Sequence, residues 1–273
     1  MDRLRRELET ASALARDAGA AAMAHYGSAT AEWKHGGSPV TGADHAANRV
    51  IVDGLREAFE EDAVLSEESR DRPDRLQARR VWIVDPLDGT REFLSENGEF
   101  SIMIGLAIGG AAVLGVVYRP VGDRLYGAVA GAGAWVEEDG RRRVLEPGPA
   151  ADRLRMVGSR SHDDPLIERI RVALGIDDVT PSGSVGLKCA LLAEGERDVY
   201  VHPVPYLKEW DTCAPELLVR ETGGTVTDCR GDTLRYNKTD PRQPHGILAL
   251  GPGAVGARET VLRVYAAHVA AAR

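Results

Sequence analysis

Cysteine is scarce in this chain. Of 273 residues only Cys189, Cys213 and Cys229 carry a thiol, an odd number with no close pair. No Cys-x-x-Cys or Cys/His zinc spacing occurs, which excludes a disulfide scaffold and a structural zinc site. Reduced thiols in a cytoplasmic protein are the expected state. Long apolar runs are missing as well. Met1-Asp2-Arg3-Leu4-Arg5-Arg6 leads into a segment charged every few residues, without the apolar stretch of a signal peptide. No run approaches the ~18 apolar residues of a membrane-spanning helix, so no membrane partner is expected. A basic excess is also absent: 34 Lys and Arg face 42 Asp and Glu, a net charge of −8. A nucleic-acid polymer is therefore not the expected partner. A small anionic ligand stays open, because bound divalent cations can invert the sign of a local site. The Gly-x-x-x-x-Gly-Lys-Ser/Thr phosphate loop, internal repeats and low-complexity tracts are all lacking.

What remains is an ordinary globular composition, 43% hydrophobic and 28% charged, long enough for one large core or two fused lobes. Periodicity predicts an amphipathic helix over 3–26, with Leu4, Leu8, Ala11, Ala15, Ala18 and Ala22 on one face and Gly27 as its C-cap. A glycine-containing loop over 33–41 leads to a second helix, 42–59, and then to a short buried strand, 63–65. Residues 71–79 are polar and contain Pro73, the pattern of a surface loop. Val81-Trp82-Ile83-Val84 reads as a strand covered on both faces. Residues 101–108 and 112–118 flank Gly109-Gly110 as a hairpin, and 125–130 and 134–136 extend its sheet. Residues 139–153, charged and proline-containing, mark a boundary between an N-terminal lobe, 1–145, and a C-terminal lobe, 146–273. In the second lobe strands are expected at 154–157, 198–201, 225–227 and 247–250. Helices are expected at 165–174, 184–193, 212–222 and from about 254 onward. This order suggests an α/β, or layered α+β, fold.

Five carboxylates, Asp44, Glu67, Asp85, Asp88 and Asp211, fall at turns beside apolar segments. Any one of them, taken singly, is more often a solvated acid or a helix cap, as Thr41 before Asp44 also is. Asp85-Pro86-Leu87-Asp88-Gly89-Thr90 is different: such a turn directly after a buried strand is hard to explain by turn chemistry alone. Asp85 and Asp88 can place carboxylates on two adjacent cations, with the Leu87 carbonyl as a neutral ligand. Clustered carboxylates repel unless protons or cations compensate, and oxygen-only ligands select hard cations such as Mg²⁺. Gly89 and Thr90 open a helix whose free N–H groups and dipole favour an anion. A two-metal centre activates water and neutralises a leaving oxygen. Thr90 is placed to orient that water.

Ser38-Pro39-Val40-Thr41-x-x-Asp44, Ser66-Glu67-Glu68-Ser69, Asp85–Thr90 and Trp210-Asp211 occur in this order over most of the chain. Together they resemble the signature blocks of the inositol monophosphatase superfamily of metal-dependent, lithium-sensitive phosphatases. The resemblance implies an α-β-α-β-α sandwich. It implies Glu67, Asp85, Leu87 (through its carbonyl), Asp88 and Asp211 as metal ligands, and Thr90, Asp44 and Glu68 as the catalytic group. Homodimers are common in the superfamily, so a second copy is one expected partner.

Within it, the likeness is closer to the 3′(2′),5′-bisphosphate nucleotidases, which act on adenosine 3′,5′-bisphosphate. Thr90-Arg91-Glu92-Phe93, Asn97-Gly98-Glu99-Phe100, Ser159-Arg160-Ser161-His162, Gly183-Ser184-Val185-Gly186-Leu187-Lys188, Trp210–Glu216 and Gly231-x-x-Leu234-x-Tyr236 resemble segments of that branch. Substrate contacts are then expected from Gly89, Thr90, Ser159, His162, Gly183, Ser184 and Lys188. Lys188 would face the phosphate that is not cleaved, unless it is a solvated helix lysine; His162 would stack on a base or cap a helix. Inositol phosphatases tend to carry an acid before Trp-Asp, whereas 200–205 here hold no carboxylate. Gly36 stands where many nucleotidases have aspartate, leaving two or three Mg²⁺ ions as the implied cofactor. The alternatives are inositol-1-monophosphatase and sugar (fructose-1,6-bis)phosphatase activity.

Overall fold

The computed structural model describes residues 4–33, 39–148, 152–160, 164–204 and 206–271. Helix α1 (Arg5–Met23) is followed by β1 (Glu32–Trp33) and β2 (Pro39–Val40), then by α2 (Gly42–Ala58). Thr41 caps α2: its hydroxyl accepts from the Ala43 N–H, while Asp44 returns a carboxylate to the Thr41 N–H. The two helices lay alanines Ala11, Ala15, Ala18, Ala22, Ala43 and Ala47 against one face of a seven-stranded sheet.

That sheet runs in simple order: β3 (Ala63–Ser66), β4 (Arg80–Asp88), β5 (Ser101–Ile108), β6 (Ala111–Arg119), β7 (Arg124–Val129), β8 (Gly133–Glu138) and β9 (Arg141–Leu145). Only β3 and β4 are parallel; every later neighbour is antiparallel. Alternation sorts the side chains. Trp82, Val84, Ile102 and Ile104 face α1 and α2, whereas Val81, Ile83 and Met103 face the other way. Gly109 and Gly110 both take positive φ (60° and 80°) in the β5–β6 hairpin, as its sequence predicts.

The second sheet has the order β11 (Asp178–Ser182), β10 (Arg155–Ser159), β12 (Val199–His202), β14 (Ile247–Leu250), β13 (Thr225–Thr227). Between the sheets lie α5 (Val185–Ala193) and α6 (Glu209–Glu221); beyond the second sheet lie α4 (Pro165–Ala173) and α7 (Arg258–Ala271). Tyr200 faces the middle helices and Val199 and Val201 the outer pair. The layers are thus α-β-α-β-α.

Helix α6 lies directly on the first sheet. A Cβ on Gly105 would sit 2.7 Å from Cys213 Sγ, and one on Gly115 would sit 2.2 Å from the Ala214 carbonyl oxygen. Two glycines on neighbouring strands therefore admit the helix backbone, and with it the position of Asp211 in the first turn.

Five expectations change. The polar stretch 71–79 holds a 3₁₀ turn, Pro73–Gln77, and buries Arg75, whose guanidinium donates to Asp71 and Asn237. Strand β9 occupies part of the expected boundary at 139–153, so the first sheet continues to Leu145. Strand β11 had no sequence signal; it is an edge strand whose register comes from β10. Asp85 to Asp88 lie within β4 rather than in a turn after it. The β4–β5 register slips between Asp85 and Asp88, because Pro86 has no N–H for the ladder. Helix α6 also begins earlier than residue 212, since the Asp211 carboxylate accepts the Lys208 N–H at 2.5 Å and caps the turn.

Candidate active site

The bulged end of β4, the loop after β3 and the first turns of α5 and α6 meet around a pocket of about 230 Å³. Glu67, Asp85, Asp88 and Asp211 line it together. Ligand oxygens of Asp85, Asp88 and Asp211 all lie within 4.8 Å of one another. Each of these three is anchored from a different quarter. Asp85 Oδ1 accepts the Leu87 N–H at 3.0 Å. Asp88 Oδ2 accepts from Ser184 Oγ at 2.5 Å and from the Gly186 N–H at 2.9 Å. Asp211 Oδ2 takes the Lys208 N–H. Hydrogen bonds to one oxygen fix each carboxylate plane and so aim its other oxygen.

Burial holds the Asp85 carboxyl well above the usual carboxylate range, and the neighbouring charges of Glu67, Asp88 and Asp211 push in the same direction. Asp211 is raised for the same reasons, burial first. Asp88 is raised by burial but opposed by the Ser184 hydroxyl and the Lys188 ammonium. Three like charges packed this closely are costly even with the Lys188 ammonium set against Asp88, and oxygen donors alone suit a hard divalent cation. The donor set therefore fits a metal ion.

On the other side of the β4 bulge, Thr90 Oγ1 donates to Asp44 Oδ1 at 3.1 Å and lies 3.4 Å from the Leu87 carbonyl oxygen. Asp44 is buried and held by both the N–H and the hydroxyl of Thr41, each at 2.7 Å. Gly89 takes φ 98°, where a Cβ would press on the Glu99 carbonyl at 3.0 Å. The helix it opens, α3 (Thr90–Leu94), has five residues, so its dipole is small and the free N–H groups of the turn carry most of its attraction for an anion.

The remaining expected residues divide. Gly89, Thr90, Ser159, Gly183 and Lys188 line the pocket. Ser184 acts from behind, as the donor to Asp88 and the N-cap of α5. Asp44 touches the pocket through Thr90, and Glu68 is not among the lining residues. His162, and with it Gly36 and Ser38, lies outside the described residues. Lys188 is 1% exposed, so it is no solvated helix lysine. Its ammonium donates to the Gly183 carbonyl at 2.5 Å and lies 5.3 Å from the centre of the Tyr200 ring. Burial lowers its pKa, while Asp88 and Glu92 act to raise it. The pocket wall also includes Glu92, Tyr200, His202 and Tyr206, which the sequence reading did not select. The signal was there in the aromatic and imidazole groups clustered over 200–206, just before Trp210-Asp211.

The chain is similar to known proteins over most of its length. Residues 3–263 match the inositol monophosphatase family. The 3′(2′),5′-bisphosphate nucleotidase CysQ of Salmonella typhimurium is 42% identical over 233 residues, 84% of this chain and 93% of that protein. The crystal structure of CysQ from Bacteroides thetaiotaomicron superposes with a TM-score of 0.80 at 33% identity, covering 91% of this chain and 98% of that one. The IMPase of Thermotoga maritima superposes with a TM-score of 0.77 at 26% identity, covering 98% of each chain.

Proposed function

The chain belongs to the inositol monophosphatase family of metal-dependent phosphatases, and from that premise we propose that it is a Mg²⁺-dependent phosphomonoesterase acting on adenosine 3′,5′-bisphosphate. Its products are AMP and phosphate. The observation that carries the reading is the trio Asp85, Asp88 and Asp211, with mutually close oxygens on the wall of a pocket that Gly183 and Lys188 also line.

In this reading Glu67, Asp85, Asp88, Asp211 and the Leu87 carbonyl hold Mg²⁺. Bound there, the metal supplies Lewis acidity toward the phosphoryl group, a lowered pKa for water and charge for the leaving oxygen. The chain's own groups orient the reactants. Thr90 donates its hydroxyl hydrogen bond to Asp44, which leaves a lone pair on the Thr90 oxygen to accept a hydrogen bond from the attacking water and orient it. Asp44 keeps that direction because Thr41 holds its other oxygen. The free N–H groups at Gly89 and Thr90 receive the phosphate to be cleaved.

A nucleotide is favoured over a sugar phosphate by the rest of the pocket lining. Tyr200, His202 and Tyr206 are part of it, and Tyr206 is 71% exposed, which offers a surface for a flat base. No carboxylate occurs over 200–206 to receive sugar hydroxyls. The curated relatives named as bisphosphate nucleotidases support the same substrate.

The test is a comparison of kcat/KM on adenosine 3′,5′-bisphosphate, inositol 1-phosphate and fructose 1,6-bisphosphate in Mg²⁺. The nucleotide is expected to be the best of the three. A higher value for either of the others overturns the substrate assignment and leaves the phosphatase class intact.

A further inference from the structure

Two segments far apart in the sequence, Asn97–Phe100 and Ser159-Arg160, are joined in the fold by one ion pair. Arg160 Nη2 donates to Glu99 Oε1 at 2.6 Å and Arg160 Nε to Glu99 Oε2 at 3.0 Å, a two-pronged contact. The same Glu99 Oε2 accepts the Gly183 N–H at 3.0 Å, and the Glu99 carbonyl accepts the Ser184 N–H at 3.2 Å. The Arg160 guanidinium also reaches the Pro181 carbonyl at 3.3 Å. Glu99 belongs to the loop between α3 and β5. Arg160 follows β10, and Gly183 and Ser184 form the turn between β11 and α5. Three segments from both sheets are thus gathered on one carboxylate at the edge of the pocket.

We propose that Glu99, locked by Arg160, is a positioning residue that sets the Gly183–Ser184 turn and, through Ser184, the orientation of Asp88. The chain of contacts is continuous. Glu99 holds both N–H groups of the turn, and Ser184 Oγ then donates to Asp88 Oδ2 at 2.5 Å. Gly183 cannot be held by its own side chain, since a Cβ there would fall 2.2 Å from the Glu92 side chain. Its place must be fixed from outside, through its N–H. The ion pair is partly exposed, with 43% of the Arg160 side chain and 25% of the Glu99 side chain accessible. A pair so placed adds little to global stability. What it does is hold the turn in register with the carboxylate behind it, as partners beyond the ligands commonly do in metal sites. The same pair ties Arg160, and so the neighbouring Ser159 on the pocket wall, to the metal side of the cavity.

This inference rests on the reading of Asp88 as a metal ligand, but not on the identity of the substrate. Its test therefore includes direct Mg²⁺ binding by titration calorimetry, beside the metal-free melting temperature and the kcat and KM on adenosine 3′,5′-bisphosphate. Glu99→Ala is expected to weaken Mg²⁺ binding by roughly tenfold or more, with kcat falling in step and the metal-free melting temperature nearly unchanged. Glu99→Gln keeps an oxygen for the Gly183 N–H and is expected to recover most of the Mg²⁺ affinity. Arg160→Ala should weaken binding by less than Glu99→Ala, and the double variant Glu99→Ala/Arg160→Ala should be no worse than Glu99→Ala alone. Wild-type Mg²⁺ affinity in Glu99→Ala overturns the proposal. So does a Glu99→Gln variant as weak as Glu99→Ala, because then the N–H contact is not what matters. Should the nucleotide prove a poor substrate while Mg²⁺ binding shifts as stated, the substrate reading fails and this inference stands.

Discussion

Two buried carboxylates show how differently the chain handles the same group. Asp85 sits among like charges and is raised by burial and by Glu67, Asp88 and Asp211. Glu216, 2% exposed, is also raised by burial, but it has partners: the Tyr236 hydroxyl at 2.5 Å and Arg220 Nη1 at 2.7 Å. These bonds oppose the shift without cancelling it. A carboxyl raised in the folded state binds its proton more tightly there than in the unfolded chain. Its contribution to stability therefore falls as pH rises from the unfolded value of 4.5 through the raised folded value. Glu216→Gln removes that slope while keeping an oxygen for Tyr236. The melting temperature of the wild type minus that of Glu216→Gln is expected to decrease between pH 5 and pH 8. A difference that is flat or rises over this interval would show that Arg220 outweighs burial.

At the scale of elements, the contact between α6 and the first sheet decides where Asp211 stands. Gly115 meets the Ala214 carbonyl, a backbone atom that cannot rotate away, one turn after Asp211. Gly115→Ala is expected to cost about 1–3 kcal/mol as overpacking, seen as a lower melting temperature, and to weaken Mg²⁺ binding as the helix shifts. Gly256→Ala, with open space around its Cβ, is the control expected to change neither. Elements such as β5 and β6 were legible because alternating apolar residues and Gly109-Gly110 encode them locally. Strand β9 was not: Arg141, Arg142 and Arg143 carry no apolar pattern, and its place comes from pairing with β8 and from Arg142 lying 3.7 Å over the Trp135 ring. Buried Arg75 was equally unreadable, because its partner Asn237 is 162 positions away. Asp85 and Asp88 could be read because Asp85-Pro86-Leu87-Asp88-Gly89-Thr90 is a local motif, and Glu67 and Asp211 because Ser66-Glu67-Glu68-Ser69 and Trp210-Asp211 resemble the family's blocks. The Glu99–Arg160 contact could not, since the two meet only when the sheets are assembled.

For the whole molecule, the acidic pocket is where layers meet. Asp85 and Asp88 come from the first sheet, Asp211 from the helix layer beneath it, and Glu67 from the loop after β3, whose N–H bonds the Val84 carbonyl. A cation held by these groups links two layers, and without it the same groups repel across the junction. Removing metal with a chelator should therefore lower the melting temperature of the entire fold rather than loosen one loop. Restoring Mg²⁺ to about 100 times its dissociation constant contributes about 2.7 kcal/mol. For a chain of 273 residues that corresponds to a rise of roughly 5 °C. Asp85→Asn separates repulsion from binding, because the amide oxygen can still accept the Leu87 N–H while the charge is gone. Its metal-free melting temperature is expected to exceed that of the wild type, since one of the mutually repelling buried charges is removed. Its Mg²⁺-dependent rise should shrink, and its activity should fall by more than ~100-fold, beyond the usual effect of a partner outside the ligand set. An Asp85→Asn protein that melts lower than wild type without metal would mean that packing, not charge, governs this junction. One that keeps the full Mg²⁺ shift would place the cation elsewhere.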